Sequence, residues 1–151
     1  GIGADDCYTS LVVEECAPYG LLITNGEFVS FHGPDPTMID VKSANKGTVR
    51  FVNGAFWGPC NQIAKIAGQG TVGFSDCTFV QWDRNQEGRH AIQAKGGRLL
   101  VRGCEFRASR PQIELERDVR RAVVTENLIS GQARIKNESQ GKVVIANNVS
   151  D

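Results

Sequence analysis

The chain has 151 residues, with 17 basic and 17 acidic side chains and a formal net charge of zero. That length suffices for one domain with its own core, and the charge balance removes the main driver of phosphate-backbone binding, so no nucleic-acid partner is expected. No run of 18 apolar residues occurs, so neither a helical membrane span nor a membrane partner is expected.

The chain opens Gly1-Ile2-Gly3, without Met and without a visible signal peptide, as a processed or trimmed piece would. Asp5 and Asp6 lie in a polar stretch before a first strand-like core, Leu11-Val12-Val13. A ten-residue segment follows: Tyr19-Gly-Leu-Leu-Ile-Thr-Asn-Gly-Glu-Phe28. It recurs without gaps at 47–56, 70–79, 97–106, 120–129 and 141–150. Successive starts are 28, 23, 27, 23 and 21 residues apart. Each interval holds a second strand-like core: Met38-Ile-Asp-Val41, Gln62-Ile-Ala-Lys-Ile66, His90-Ala-Ile-Gln-Ala94, Pro111-Gln-Ile-Glu-Leu115 and Ala133-Arg-Ile-Lys136.

The repeat's third and fifth positions are apolar in every copy: Leu21/Ile23, Val49/Phe51, Val72/Phe74, Leu99/Val101, Ala122/Val124 and Val143/Ile145. A spacing of two places them on one side of a strand. The seventh and eighth positions are mostly Asn, Asp, Gly or Cys, residues suited to the left-handed backbone of a tight corner. The tenth is Phe28, Phe56, Phe79, Phe106 or Ile129. Two or three short strands per 21–28 residues describe a rung of a β-solenoid. The spacing therefore predicts an all-β coil of five to six rungs in a single domain over 1–151. Phe56, Phe79 and Phe106 are expected to form an internal aromatic column, and Asn127 is expected to stack on Asn148. Propeller blades need about 40 residues each, and no stretch sustains helical periodicity.

The pattern G-x-V-x-F-x-(N/D)-(C/G)-x-F, with loops of variable length between copies, resembles the right-handed parallel β-helices of the pectate-lyase-like superfamily. The resemblance covers roughly residues 9–151. It implies a right-handed parallel β-helix and an extracellular or cell-surface setting. It implies polysaccharide or oligosaccharide as the partner, whether the chain hydrolyses it, cleaves it as a lyase, or only binds it. The alternative is a structural or adhesion module like part of a tailspike. No N-terminal capping helix of the family's kind is visible, and the last rung stops at its first corner. The chain is thus read as the C-terminal part of a longer β-helix, or as an oligomer that covers its open strand edges.

Two intervals are long, 29–37 and 80–90, and they leave the coil at the same corner, two rungs apart. The short 57–61 lies between them and 107–111 follows. Two walls over a low floor predict a sugar groove. Trp57 and Trp82 can stack on pyranose faces. Asp35, Asp83 and Glu87 are the candidate catalytic carboxylates. Arg84, Arg89, Arg107 and Arg110 can hold carboxylates, and His32 and His90 are the chain's two histidines. The bland readings stand beside these: a Trp that covers a corner, a solvated Asp83–Arg84 pair, and a His90 that caps a strand. Asp5-Asp6 and Arg134-Ile135-Lys136 echo the paired aspartates and Arg-Ile-Lys triplet of polygalacturonase-type hydrolases. About five rungs separate them, too far to meet on one sugar, and the Asn-Thr-Asp and Gly-His-Gly signatures are missing. No metal or cofactor is argued. Cys7, Cys16, Cys60, Cys77 and Cys104 are odd in number, lack a C-x-x-C pair, and are expected to be mostly buried free thiols.

Overall fold

The computed structural model describes residues 2–151. Among them there is no helix, 51% of the chain is strand, and the strands stack as a parallel β-solenoid of about 6 turns. Each rung carries three strands, so the coil has three faces. The first face holds Leu11–Val13, Thr37–Val41, Gln62–Ile66, the leading halves of Ile92–Arg102 and Ile113–Thr125, and Ile135–Asn137. The second holds Leu21–Thr24, Thr48–Val52, Thr71–Ser75, the trailing halves of the same two long strands, and Lys142–Ala146. The third holds Gly3–Ala4, Glu27–Val29, Ala55–Trp57, Thr78–Val80, Glu105–Phe106, Leu128–Ile129 and Val149–Ser150.

Alternation along each strand sets the core. On the second face Val49 and Phe51 are buried while Arg50 between them is exposed. Parallel in-register pairing then stacks like on like. Phe28, Phe56, Phe79 and Phe106 pair in succession on the third face. Their rings stack with centroids 5.3, 5.2 and 4.7 Å apart. Phe51 and Phe74 form a second stack at 5.1 Å, edge-on to Phe56. Full burial of each ring is worth about 1.5–3 kcal/mol, and each well-placed pair adds roughly 1 kcal/mol. The predicted aromatic column is therefore present.

The corner between the second and third faces divides the work that the repeat's seventh and eighth positions were expected to share. The seventh alone is left-handed, in all six copies: Asn25, Asn53, Asp76, Gly103, Glu126 and Asn147 have φ between 53° and 63°. The eighth points inward as a ladder. Cys77 and Cys104 lie there, and all five cysteines are free thiols. Asn127 donates Nδ2 to Asn148 Oδ1 at 2.8 Å and accepts from the Cys104 amide at 2.9 Å. These bonds satisfy buried polar groups that would otherwise cost about 1–3 kcal/mol each.

The glycine at the repeat's first position has a steric cause. At the corner between the first and second faces, a Cβ on Gly70 would sit 1.9 Å from the Gly47 carbonyl oxygen of the rung below. At the other end of the coil the inward Ile145 is 41% exposed, because no described rung lies over it.

Candidate functional site

The remaining corner, from third face to first, carries residues 30–36, 58–61, 81–91 and 107–112, so the long segments do leave the coil together. They do not frame a groove. The 81–91 segment folds back across the short 58–61 floor and meets 30–36. Arg84 donates to the Phe31 carbonyl, and Asn85 Nδ2 donates to the Pro34 carbonyl at 3.0 Å. Arg89 pairs with Asp35 at 3.5 Å. The space predicted for a sugar is filled by the two walls themselves.

Asn61 organises this closure. It is fully buried. Its Nδ2 donates to Asp35 Oδ1 at 2.7 Å and to Glu87 Oε2 at 3.2 Å, and its Oδ1 accepts from the Asn85 amide at 3.3 Å. Its backbone N–H bonds the Pro36 carbonyl, and its carbonyl accepts from the Asp83 amide. Asp35 and Glu87, two of the three carboxylates expected to be catalytic, are thus brought together as ligands of one amide. Glu87 also accepts from Arg89 Nε at 2.8 Å. The Arg89 hydrogen bond, then that of Asn61, holds the Glu87 carboxyl below the usual carboxylate range.

Several expected site residues have other employment. Trp82 is no platform. Its indole is fully buried, edge-on to Phe106, and its Nε1 donates to the Pro111 carbonyl at 2.6 Å. Large apolar rings at a corner gain more from filling the core than from waiting for a ligand. Asp83 is buried as well. Its two oxygens accept from the Glu87 and Gly88 amides at 2.9 and 3.2 Å, closing its own loop as a short polar side chain with positive φ does. Arg110 donates to the Trp82 and Asp83 carbonyls from the next rung. Trp57 and Arg107 are exposed, but on the outer side of the third face, where Arg107 pairs with Glu105 at 2.7 Å. His32 pairs with Asp6 near the first rung. Burial pushes the Cys60 thiol up to about 12, so that corner offers no thiolate.

Beside the closed corner, on the outer side of the first face, lies a shallow depression of about 350 Å³. It is lined by Gln62, Arg89, His90, Gln93, Glu114 and Lys136, with Gly88 at its rim. Gln93, Glu114 and Lys136 are in-register neighbours on successive rungs. Gln93 Nε2 donates to Glu114 Oε2 at 3.1 Å, and Lys136 Nζ donates to Glu114 Oε1 at 2.9 Å. His90 Nδ1 lies 3.7 Å from Glu114 Oε2. Burial pushes the His90 imidazole below its ordinary value, against the opposing pull of Glu114. Burial raises Glu114, but Lys136, His90 and Gln93 outweigh it and hold the carboxyl below the usual range. Glu114 and Glu138 raise the Lys136 ammonium. Near neutrality the depression therefore presents a carboxylate, an ammonium, a guanidinium, a neutral imidazole and two amides.

Arg89 and His90 were legible as site candidates. Gln62, Asn61, Gln93 and Glu114 were not singled out, and Lys136 only within a triplet that was set aside. The signal was present: Asp40, Lys65, Gln93, Glu114 and Lys136 occupy the same slot of successive strand cores, and pairing puts them in one outward column. Lys136 belongs to the Arg-Ile-Lys echo, and Asp6 lies at the opposite end of the coil, as the rung count required.

The fold defines the class, a parallel β-helix. No family model, curated protein or solved structure matches the chain.

Proposed function

We propose that the chain is a carbohydrate-recognising β-helix module of the pectate-lyase-like kind, which binds a glycan in the first-face depression without cleaving it. The observation that carries this reading is the set of planar polar side chains converging there, Gln62, Gln93, Glu114, His90 and Arg89, on a rigid stack of strands. Sugar hydroxyls are paired donors and acceptors, and fixed amides, carboxylates and guanidinium groups match them at 2.7–3.2 Å. Strand-borne groups also hold their geometry better than loop-borne ones.

Protonation states favour binding over catalysis. Glycosidic cleavage by a carboxyl pair needs one member with a raised pKa. Glu87 and Glu114 are both held down by cationic or amide partners. Lys136 is raised rather than lowered, so it is no base near neutrality. Asp83 spends both oxygens on its own loop.

The test is titration of the protein against an array of neutral and uronic oligosaccharides, with product analysis on every binder. The reading expects binding without product. In Gln93→Ala and Glu114→Gln it expects at least a tenfold loss of affinity, the size of one or two hydrogen bonds. Absence of binding to every glycan would refute recognition, and product formation would refute the non-catalytic assignment.

A further inference from the structure

The chain's zero net charge conceals an uneven distribution. Six cations have carboxylate partners, whereas the exposed corner cations Lys46, Arg84, Arg117, Arg120 and Arg134 are not stacked on one another and have none among the described residues. Lys42 pairs with Asp40, Arg89 with Glu87, Lys95 with Glu116, Arg102 with Glu126, Arg107 with Glu105, and Lys136 with Glu114 and Glu138. On the outer side of the second face unpaired cations are stacked one above another. Arg98, Arg121 and Lys142 are exposed and pair in register on three successive rungs. Among the described residues no carboxylate lies within 4 Å of any of them.

Adjacent rungs are about 4.8 Å apart, a spacing at which like charges directly opposite each other destabilise a sheet. Thr71 continues the column and accepts from Arg98 Nη1 at 3.3 Å. In the neighbouring outward column Arg50 lies over Gly73, where the missing side chain leaves it room. Arg120 is exposed at the adjoining corner and donates to the Gln69 carbonyl. Asp118, the carboxylate of that corner, is in no ion pair among the described residues. Leu100, Val123 and Val144 occupy that neighbouring column beside the cations.

We propose that this column is a docking strip for a linear anionic polysaccharide laid along the coil axis, with successive sulfate or carboxylate groups meeting successive rungs. Charge complementarity selects a polyanion, and the straight column selects an extended one. Single-stranded nucleic acid is disfavoured because the strip has no aromatic side chain on which a base can stack. The strip lies on a different face from the depression on which the glycan-binding reading rests, and does not depend on it.

The experiment measures binding of the intact chain to heparin (sulfate) and alginate (carboxylate), with neutral dextran as control, across a salt series. By counterion-release scaling, three charge contacts weaken binding roughly 20-fold between about 50 and 200 mM salt. The triple variant Arg98→Gln, Arg121→Gln, Lys142→Gln loses both the binding and its salt dependence. Its melting temperature is equal to or above that of the parent, since the substitutions relieve repulsion. Lys95→Gln, a cation outside the column that pairs with Glu116, leaves polyanion binding unchanged and separates this strip from cations elsewhere. Binding to heparin alone or to alginate alone identifies the anionic group. The proposal is overturned if neither glycan is retained, if the triple variant binds like the parent, or if DNA or anionic vesicles are bound in preference to both.

Discussion

Replacing Asn61 by Ala isolates the residue on which the closed corner turns. The substitution removes three side-chain hydrogen bonds: two donated to Asp35 and Glu87, and one accepted from the Asn85 amide. A neutral hydrogen bond contributes about 1 kcal/mol net, and one to a charged group about 1.5–3 kcal/mol. Asp35 and Glu87 are each 46% exposed, so water recovers much of their loss and all three bonds count at about 1 kcal/mol. The total is about 3 kcal/mol, which for a chain of this length lowers the melting temperature by roughly 6–12 °C. The loss should also be local. Amide hydrogen exchange should accelerate across 30–36 and 83–90, while the Phe79 and Phe106 strands keep their relative protection. Limited trypsin digestion should then cut after Arg84 or Arg89 first. Unchanged exchange in both segments, with a melting temperature within 2 °C of the parent, would refute the assignment of Asn61 as the clasp.

Further outcomes follow from the same structure. Gly70→Ala should cost about 3 kcal/mol, because its Cβ would strike the Gly47 carbonyl. Gly88→Ala, with open space around it and only a positive φ to strain it, should cost about 1 kcal/mol by chemical denaturation. Stability should fall on acidification through the ordinary imidazole value. With its folded pKa depressed, His90 stays neutral where the unfolded chain already takes up a proton. Denaturation midpoints between pH 7.5 and 5.5 should show that fall in the parent and a smaller one in His90→Gln, and equal slopes would contradict it. Trp57→Ala, on the third face, should leave glycan affinity within about twofold, and a larger loss in the same titration would move the sugar site to that face.

The coil was legible because its signals are local and repeated. Apolar residues at two-residue spacing, a left-handed residue at the seventh position and a glycine at the first each answer a geometric demand that every rung makes again. Even Glu126, an unpromising residue for a positive φ, takes it because the copies above and below fix the corner. The corner loops were legible in position only. Nothing in Gln81-Trp82-Asp83 announces that the indole turns inward while the carboxylate caps its own backbone. That outcome depends on Pro111 and Phe106, both on the next rung and distant in sequence. Loop closure escaped for the same reason, since Arg84 meets a carbonyl two rungs off. The first-face column of Gln93, Glu114 and Lys136 was readable in principle, and needed the second strand cores aligned as strictly as the first.

Stacking in register is the claim beneath all of this, and double-mutant cycles measure it. With Leu replacing Phe singly and in pairs, Phe56 and Phe79, whose rings stack at 5.2 Å, should couple by about 1 kcal/mol. Phe28 and Phe106, at the two ends of the column, should be additive within about 0.3 kcal/mol. Additivity of Phe56 with Phe79, or equal coupling in the two pairs, would contradict the coil.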